Sequence, residues 1–374
     1  MIDRATLGII FTNMHDEELT ELTEKRTFGS IPFGGRYRLI DFALSNMVNA
    51  GISDIGVITK SNYLSLMDHL GSGREWDLAR KRGGLTILPP FGRSNTGGIY
   101  RGRLEALSNF IAYIRSNAAA DVLISDSDVI ANIDLKDLIA RHNASGAEIT
   151  LLHKKVDIPA VGSERYNIVD FDQNGRLTDV QMRPPVSGEH QVYMDIAVFK
   201  KDLLLRLLEN AASRNQYSLV HYVFVGMKDQ LDIRGYEFTG YASKIKSLAS
   251  YYRANMDLLQ KDIRDELFNQ ERPIYTKVRD QVSAKYGLDA KVSNSLVADG
   301  CVIDGEAENS VIFRGVKIAK GACVKNSIIM QSGIIGEKVC LDYVITDKDV
   351  TVTDSRSLMG YKTYPVYIAK GSRV

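Results

Sequence analysis

Two aspartates follow an apolar segment in the first half of the chain. Residues 122–124 are Val-Leu-Ile, which predicts a buried strand, and Asp126 and Asp128 come directly after it. Side chains two residues apart on an extended backbone point the same way. Carboxylates are the ligands that Mg²⁺ prefers where phosphate groups react, so this pair could serve such chemistry. The alternative is that a strand-end aspartate caps a helix or forms a turn.

The elements that would position these side chains alternate between short apolar runs and helix-length periodic segments. Residues 7–11, 55–58, 122–124 and 149–152 predict buried strands of a parallel sheet covered by helices. Residues 38–48 predict a helix that stops at Asn49 or Gly51, and Asp134 is expected to cap a helix over 135–143. Ligands of such sheets bind beyond the carboxyl ends of the strands, so the loops after Phe11 and Ile124 are where a site is expected.

A second periodicity begins near residue 292. Apolar residues then recur every six positions, in one series of Ile312, Ile318, Val324 and Met330 and another of Val316, Ala322, Ile328 and Ile334, with a one-residue slip before Ile335. A fixed hexapeptide period predicts a left-handed parallel β-helix, whereas the strands of a β-sandwich would be spaced by roughly 8 to 12 residues. We therefore predict domains at 1–250 and 291–374, joined by a linker at 251–290.

Composition limits the classes of function. The 374 residues suggest two domains, and 47 basic against 46 acidic side chains leave no global field for nucleic acid or an anionic membrane. No apolar run approaches the roughly 20 residues of a membrane span, and none near the start is long enough for a signal peptide. The three cysteines are expected to be reduced, and the protein cytoplasmic.

Four segments resemble one enzyme family, in the family's own order. They are Pro-Phe-Gly-Gly-Arg-Tyr-Arg-Leu-Ile-Asp-Phe-Ala-Leu-Ser-Asn at 32–46, Gly-Ser-Gly-Arg-Glu-Trp-Asp-Leu-Ala-Arg at 71–80, Gly-Gly-Leu-Thr-Ile-Leu-Pro-Pro at 83–90 and Tyr-Arg-Ala-Asn-Met-Asp-Leu-Leu at 252–259. The chain resembles the glucose-1-phosphate adenylyltransferases (ADP-glucose pyrophosphorylases) over essentially its whole length, and specifically their poorly catalytic, GlgD-type subunits. The resemblance implies an α/β fold: a Rossmann-like, GT-A-like nucleotidyltransferase domain with a mixed sheet, followed by the left-handed β-helix.

The resemblance also implies a loop after the first strand that cradles triphosphate with three glycines and an arginine. Here Asn13, Met14 and Asp16 stand at the glycine positions and Glu18 at the arginine position. Phe28 stands where relatives have the lysine that contacts the reacting phosphates. Reversing one charge about 4 Å from another changes the interaction by several kcal/mol, since a pair is worth roughly 4 kcal/mol at an effective dielectric near 20. Even if the acidic loop is only solvated surface, we expect that it does not cradle ATP.

The metal site implied by the resemblance is altered in the same way. Asp128 matches the family's metal aspartate, and Lys244 matches its partner aspartate. An ammonium group facing Asp128 would form a salt bridge and repel Mg²⁺. The alternative is that Lys244 and Lys246 point to water. We expect no cofactor bound by this chain, with Asp128 the metal ligand if there is one, and Mg²⁺ left to a catalytic partner.

The sugar-phosphate and nucleotide pockets depart from the family as well. The family's Glu-Lys-Pro is Met-Arg-Pro around Arg183, and its Ser-Met-Gly is Tyr193-Met-Asp195. Gly102 begins Gly-Arg-Leu-Glu-Ala where relatives have Gly-Thr-Ala-x-Ala. These four positions, Gly102, Arg183, Tyr193 and Asp195, are expected to be remnants of the substrate pocket.

Four cations are candidates for binding or sensing a phosphorylated effector. Lys25 and Arg26 align with the basic pair near the activator site of regulated relatives, and Arg36 and Arg38 flank the preserved Gly-Gly pair. The alternative is a solvated basic turn. The resemblance further implies assembly into homo- or hetero-oligomers, with a tetramer expected.

We weigh three functions. The first is a regulatory subunit, with little or no activity alone, that modulates a catalytic glucose-1-phosphate adenylyltransferase in glycogen biosynthesis. The second is an active sugar-phosphate nucleotidylyltransferase with an altered sugar or donor. The third is a module that only binds nucleotide or sugar phosphate. Neither nucleic acid nor a membrane is expected as a partner.

Overall fold

The structure, a computed structural model, describes residues 5–14, 16–81, 83–90, 100–159 and 164–374. A nine-stranded mixed sheet forms the centre of the first unit. Its main path runs Leu177–Gln181, Ile168–Phe171, Gly188–Lys200, Asp121–Asp126, Thr6–Phe11, Asp54–Ile58 and Gly84–Leu88, and Ile149–Ile158 joins Gly188–Lys200 to Ile233–Glu237. Two small sheets pair Ala242–Lys244 with Val129–Ala131, and Pro32–Phe33 with Tyr37–Arg38.

The four predicted strands all lie within strands of this sheet, because their uninterrupted apolar runs are buried on both faces. The sheet is not parallel throughout. Thr6–Phe11 pairs in parallel with Asp54–Ile58 and Asp121–Asp126, but Gly188–Lys200 returns antiparallel to Asp121–Asp126 and Ile149–Ile158. The prediction of a parallel sheet from the apolar runs alone is therefore right for one half of it.

Helices cover both faces of the sheet. They are Thr20–Thr23, Leu39–Asn49, Leu64–Leu70, Arg103–Asn109, Ile111–Ser116, Leu135–Ser145, Lys201–Ser213, Leu248–Asp257 and Lys261–Leu267, with a π-helix at Val220–Val225 and 3₁₀ turns at Asp16–Glu18, Phe28–Ser30 and Arg74–Trp76. Asp134 caps its helix as predicted, since its Oδ1 accepts a 3.0 Å hydrogen bond from the amide of Asp137. Within the described parts of the chain, no helix combines the length and apolar character that crossing a membrane requires.

The second unit is a left-handed parallel β-helix of three five-stranded sheets. The first sheet contains Lys285–Tyr286, Val302–Ile303, Lys317–Ile318, Ile334–Ile335 and Thr351–Val352. The second contains Lys291–Ser293, Glu306–Glu308, Cys323–Lys325, Cys340–Asp342 and Ser357–Met359, and the third contains Leu296–Val297, Val311–Ile312, Ile328–Ile329, Val344–Thr346 and Val366–Ile368. The first strand begins at residue 285, ahead of the boundary predicted at 291.

The predicted one-residue slip before Ile335 is present, and it takes Ile334 out of the buried series. Ile334 is 45% exposed, and its neighbour Ile335 points inward instead. Stacked serines Ser310 and Ser327 are 17 residues apart, so each coil here is one residue short of three hexapeptides. The strict six-residue count therefore drifts out of register by this point.

The two units share a buried core. Phe28, Tyr251 and Leu258 of the first unit pack in one apolar cluster with Val311 and Phe313 of the third β-helix sheet. The loop region of the first unit is thus built directly against the coils.

Candidate functional site

The first strand and the aspartate strand end side by side, because Phe11 is in register with Asp126 in the central sheet. Asp128 follows two residues later. The strand Ala242–Lys244 pairs antiparallel with Val129–Ala131, and this pairing sets Lys244 opposite Val129. Three separate chain segments therefore meet at the carboxyl edge of the sheet, where the sequence predicts a site.

Three carboxylates converge at this edge. Asp126, Asp128 and Asp195 each offer an oxygen within 4.8 Å of the others, and their exposed fractions are 1%, 0% and 3%. Asp195 reaches the group because its backbone has a φ of 53°, at an irregularity in the register of Gly188–Lys200. The sequence predicted Asp128 as a ligand position and Asp126 as a second candidate, but placed Asp195 in the substrate pocket.

Two cations lie within the carboxylate group. The ammonium of Lys244 is in direct contact with Asp195, lies 3.8 Å from Asp128 Oδ2 and donates to the carbonyl of Tyr193 at 3.1 Å. The guanidinium of Arg103 donates from Nε to Asp126 Oδ1 at 3.1 Å and lies 3.2 Å from Asp195 Oδ1. Lys244 thus faces Asp128, as the alignment implied, but its closest partner is Asp195.

Opposing effects set the pKa values of these two cations. Burial alone would lower the pKa of Lys244, but the carboxylates of Asp195 and Asp128 outweigh burial and raise it above its usual value. For Arg103 the same balance, with Asp126 as the strongest partner, raises the pKa well above its usual value. Both groups are therefore charged at neutral pH.

A second cluster joins the first strand's loop to this site. Glu18 accepts from Lys246 Nζ at 2.9 Å and lies 2.9 Å from Arg183 Nη2. Lys246 is 8% exposed and Lys244 is 7% exposed, so the alternative that both point to water is wrong. Burial and the nearby Lys244 ammonium lower the pKa of Lys246. Nor is Glu18 a solvated surface acid, since it is held between two cations.

The eight charged side chains balance one another. Four are acids and four are bases: Glu18, Asp126, Asp128 and Asp195 against Arg103, Arg183, Lys244 and Lys246. We call these eight residues the ion network. Sequence reasoning missed the part played by Arg103 and Lys246. The available signals were that Arg103 lies in the Gly-Arg-Leu-Glu-Ala segment and that Lys246 lies two residues after Lys244.

The loop after the first strand uses its polar groups internally. Asn13 Oδ1 accepts the amide of Lys60 at 3.0 Å, and Asp16 Oδ1 accepts the amide of Phe28 at 3.1 Å. The Phe28 ring is 1% exposed and belongs to the core shared by the two units. Two side-chain acceptors of this loop are thus already occupied by amides of the protein itself. His15 of this loop lies outside the described residues.

The other two predicted pocket residues, Tyr193 and Gly102, are tightly packed against neighbouring segments. Tyr193 is 2% exposed, and its ring packs edge-on against Phe224 at 5.5 Å between centroids. Gly102 lies so close to the backbone that a Cβ there would be 2.3 Å from the carbonyl oxygen of Tyr217. The structure brings Arg183 and Asp195 into the ion network, whereas Gly102 and Tyr193 shape its surroundings.

A separate cleft between the two units is lined with cations. Six basic side chains line it, together with His69 and Gln331: Arg36, Arg38, Lys277, Arg279, Arg314 and Lys348. We call this the basic cleft. Burial, with Arg38 and Arg26 nearby, lowers the pKa of Lys348 to about 7, and burial lowers that of Arg38 to about 10. Cations that depress one another's pKa favour binding of an anion.

The remaining effector candidates are placed differently. Arg26 is 3% exposed, and its Nη2 donates to both carboxylate oxygens of Asp347 in the β-helix, at 2.7 and 2.9 Å. Asp347 also accepts from the hydroxyl of Tyr367 at 2.9 Å. Lys25 is exposed and is not among the residues that line the basic cleft. Of the four candidates, Arg36 and Arg38 therefore reach the cleft directly.

Comparison with known proteins gives consistent matches along the chain. The family model described as nucleotidyl transferase matches residues 15–261, and the GlmU-like, C-terminal hexapeptide model matches residues 280–362. The glycogen biosynthesis protein GlgD of Bacillus subtilis (strain 168) is 35% identical over 99% of this chain and 97% of its own length. A glucose-1-phosphate adenylyltransferase of Pseudothermotoga lettingae is 34% identical over 86% of this chain and 76% of its own.

Proposed function

We infer the function from one premise: this chain belongs to the glucose-1-phosphate adenylyltransferase family of nucleotidyl transferases and is of the GlgD type. We propose that it is a regulatory subunit with little or no activity of its own. Its catalytic partner converts ATP and glucose 1-phosphate to ADP-glucose and diphosphate in glycogen biosynthesis. In this proposal the chain changes the partner's activity by assembling with it.

The ion network carries the proposal. Transfer of a nucleotide needs cations for the triphosphate and carboxylates for a metal. Here the four bases and four acids already neutralise one another, and all of them except Arg183, whose side chain is 54% exposed, are buried or partly buried. Freeing either set would leave the other buried without partners, a cost of several kcal/mol. A substrate would have to meet that cost before it gained any contact.

The residues also do not fit a divalent cation. Three carboxylate oxygens lie close enough to share an ion, but Lys244 and Arg103 make charge-assisted contacts to them. Mg²⁺ needs near-octahedral oxygen ligation, and a neighbouring ammonium opposes it. We therefore assign the metal to the catalytic partner and derive no step through a metal in this chain.

The direct test compares the isolated chain with a mixture. Purified protein with ATP, glucose 1-phosphate and Mg²⁺ is expected to release diphosphate at the background rate. Adding it to a catalytic glucose-1-phosphate adenylyltransferase subunit from the same organism is expected to change the rate or its response to phosphorylated metabolites. Rapid turnover by the chain alone, lost in Asp128→Asn, would establish the alternative of an active enzyme. Affinity for a ligand with no effect on the partner would favour a binding module.

We further propose that the basic cleft binds the phosphorylated effector. Arg36 and Arg38 line it from the first unit, and Arg314 and Lys348 line it from the β-helix. A bound dianion would therefore touch both units at once. Lys277 and Arg279 share one carboxylate, that of Asp68, and Arg314 lies 3.7 Å from Asp299. The cations of the cleft still outnumber these carboxylates, so an anion would relieve their mutual repulsion.

Anion binding at the cleft is expected to weaken as pH rises above about 7, the pKa of Lys348 in the free protein. An anion raises that pKa, so binding takes up a proton, and affinity falls by up to about tenfold per pH unit until the bound pKa is passed. Sulfate is the suitable probe, because its charge does not change in this range. Titration calorimetry at several pH values measures the effect.

The matched variants separate Lys348 from general charge effects. Lys348→Met is expected to bind sulfate more weakly and to lose the pH dependence. Lys317→Ala removes an exposed cation of the β-helix that is outside the cleft, and it is expected to change neither. Equal pH dependence in wild type and Lys348→Met would contradict the assignment.

A further inference from the structure

Two of the three cysteines stack on adjacent coils of the β-helix. Cys323 and Cys340 are register partners in the second sheet, in parallel strands that are neighbours. The next residues, Val324 and Leu341, point into the coil interior at 0% and 1% exposure. Alternation along a strand therefore turns both thiols outward. Cys340 is exposed and Cys323 partly exposed.

The thiols are close enough to act on each other. Neighbouring strands lie about 4.8 Å apart, within the range of about 4.4 to 6.8 Å between Cα atoms of a disulfide. Burial raises the pKa of the Cys323 thiol, and a charge on Cys340 adds to that rise. Cys301 is different: it is 1% exposed, and its thiol donates to the carbonyl of Phe313 at 3.1 Å.

We propose that Cys323 and Cys340 form a reversible dithiol site that a peroxide oxidises to a disulfide across two coils. The thiolate of exposed Cys340 attacks a peroxide oxygen, which gives a sulfenic acid and releases one water or alcohol. Cys323 then attacks that sulfur, loses its proton and expels water. Two thiols and one hydrogen peroxide thus become one disulfide and two waters. A dithiol reductant returns both thiols.

Geometry indicates that this disulfide is a labile one. Outward Cβ atoms of a parallel ladder are separated by about the strand spacing, slightly beyond the range of about 3.5 to 4.5 Å that a relaxed disulfide prefers. Closing the bond therefore stores strain, and strained, exposed disulfides are the easily reduced ones. The pair is suited to a switch and not to a permanent crosslink.

The site is separate from the ion network. The third sheet packs on the first unit through Val311, Ile328 and Ile345, whereas Cys323 and Cys340 lie on the second. Oxidation of the pair therefore does not depend on the function proposed above. A failure of the thiol pair to oxidise can therefore be told apart from a failure of the proposed regulatory function.

The test titrates the reduced full chain with hydrogen peroxide and counts thiols by alkylation and intact mass. The expected result is a drop from three free thiols to one, with an internal link between the peptides containing 323 and 340 that dithiothreitol reverses. Cys301→Ala should keep the link, and Cys323→Ser and Cys340→Ser should each abolish it. Stepwise oxidation to sulfinic acid, or disulfides only between copies, would overturn the proposal.

A second probe needs no oxidation. Phenylarsine oxide binds tightly only where two thiols can reach one arsenic atom. The folded wild type and Cys301→Ala are expected to bind one equivalent per chain, and either serine variant none. No binding to the folded wild type would show that the thiols cannot converge and would also overturn the proposal.

Discussion

Replacing Lys244 with alanine is expected to lower the free energy of unfolding by about 3 to 5 kcal/mol at neutral pH. The ammonium is 7% exposed, contacts Asp195 and lies 3.8 Å from Asp128. Its removal leaves two buried carboxylates with less positive charge to offset them. Denaturant unfolding followed by circular dichroism measures the loss.

The pH dependence of this loss follows from the raised pKa of Lys244. A cation with a raised folded pKa contributes stability that is fully present below its unfolded value, near 10.5. The contribution is lost only as pH rises through the still higher folded value. As far as the titration of Lys244 is concerned, the difference in free energy of unfolding between wild type and Lys244→Ala is therefore expected to stay constant from neutral pH to about pH 9.

Lys155 provides the matched control. It lies on the strand Ile149–Ile158, its side chain is 53% exposed, and its nearest carboxylate oxygen, on Glu237, is 3.7 Å away. Lys155→Ala is expected to change stability by less than about 1 kcal/mol. Lys244→Met, which keeps the aliphatic stem, should lose almost as much as Lys244→Ala. If Lys244→Ala lowered the free energy of unfolding by no more than Lys155→Ala does, the ion network would not be a coupled unit.

Replacing Arg26 with alanine is expected to cost about 3 to 5 kcal/mol and to weaken the joint between the two units. Its guanidinium holds Asp347 through two bonds of 2.7 and 2.9 Å, and both side chains are 3% exposed. Among the described residues, the variant leaves the buried Asp347 carboxylate with the Tyr367 hydroxyl and the amide of Lys348 as hydrogen-bond donors. Calorimetry should show a lower melting temperature, or two transitions where the wild type has one.

The neighbouring Lys25 gives the control for this joint. It is exposed, so Lys25→Ala is expected to change stability by no more than about 0.5 kcal/mol. A double-mutant cycle with Asp347→Asn isolates the pair, since the double variant should lose clearly less than the sum of the two single ones. Additive losses would show that Arg26 and Asp347 do not stabilise each other.

Local pattern was enough to predict the strands and the β-helix, but not the direction of every strand. Apolar runs gave the strands, and the six-residue period gave the β-helix, because both signals depend on neighbouring residues alone. The one-residue slip in that period before Ile335 leaves Ile334 exposed. The antiparallel half of the sheet was visible only through family resemblance, since a buried strand looks alike in either direction.

The site was harder to predict from the sequence, because its contacts join distant segments of the chain. The alignment placed Lys244 beside Asp128, and the pairing of short strands explains why. Asp195 bridges the two cations because its backbone has a φ of 53°, and no residue pattern in the sequence predicts that angle. Arg26 looked like half of a surface pair, yet its partner Asp347 lies 321 residues further along the chain.

The burial of Phe28 limits what position 28 can become. Its ring lies at 1% exposure in the core that both units share. Replacement with lysine, the residue that the family resemblance implies at this position, would forfeit about 3 to 5 kcal/mol of aromatic packing and place an ammonium group among apolar side chains. A lysine could be accommodated there only after the neighbouring side chains had been rebuilt.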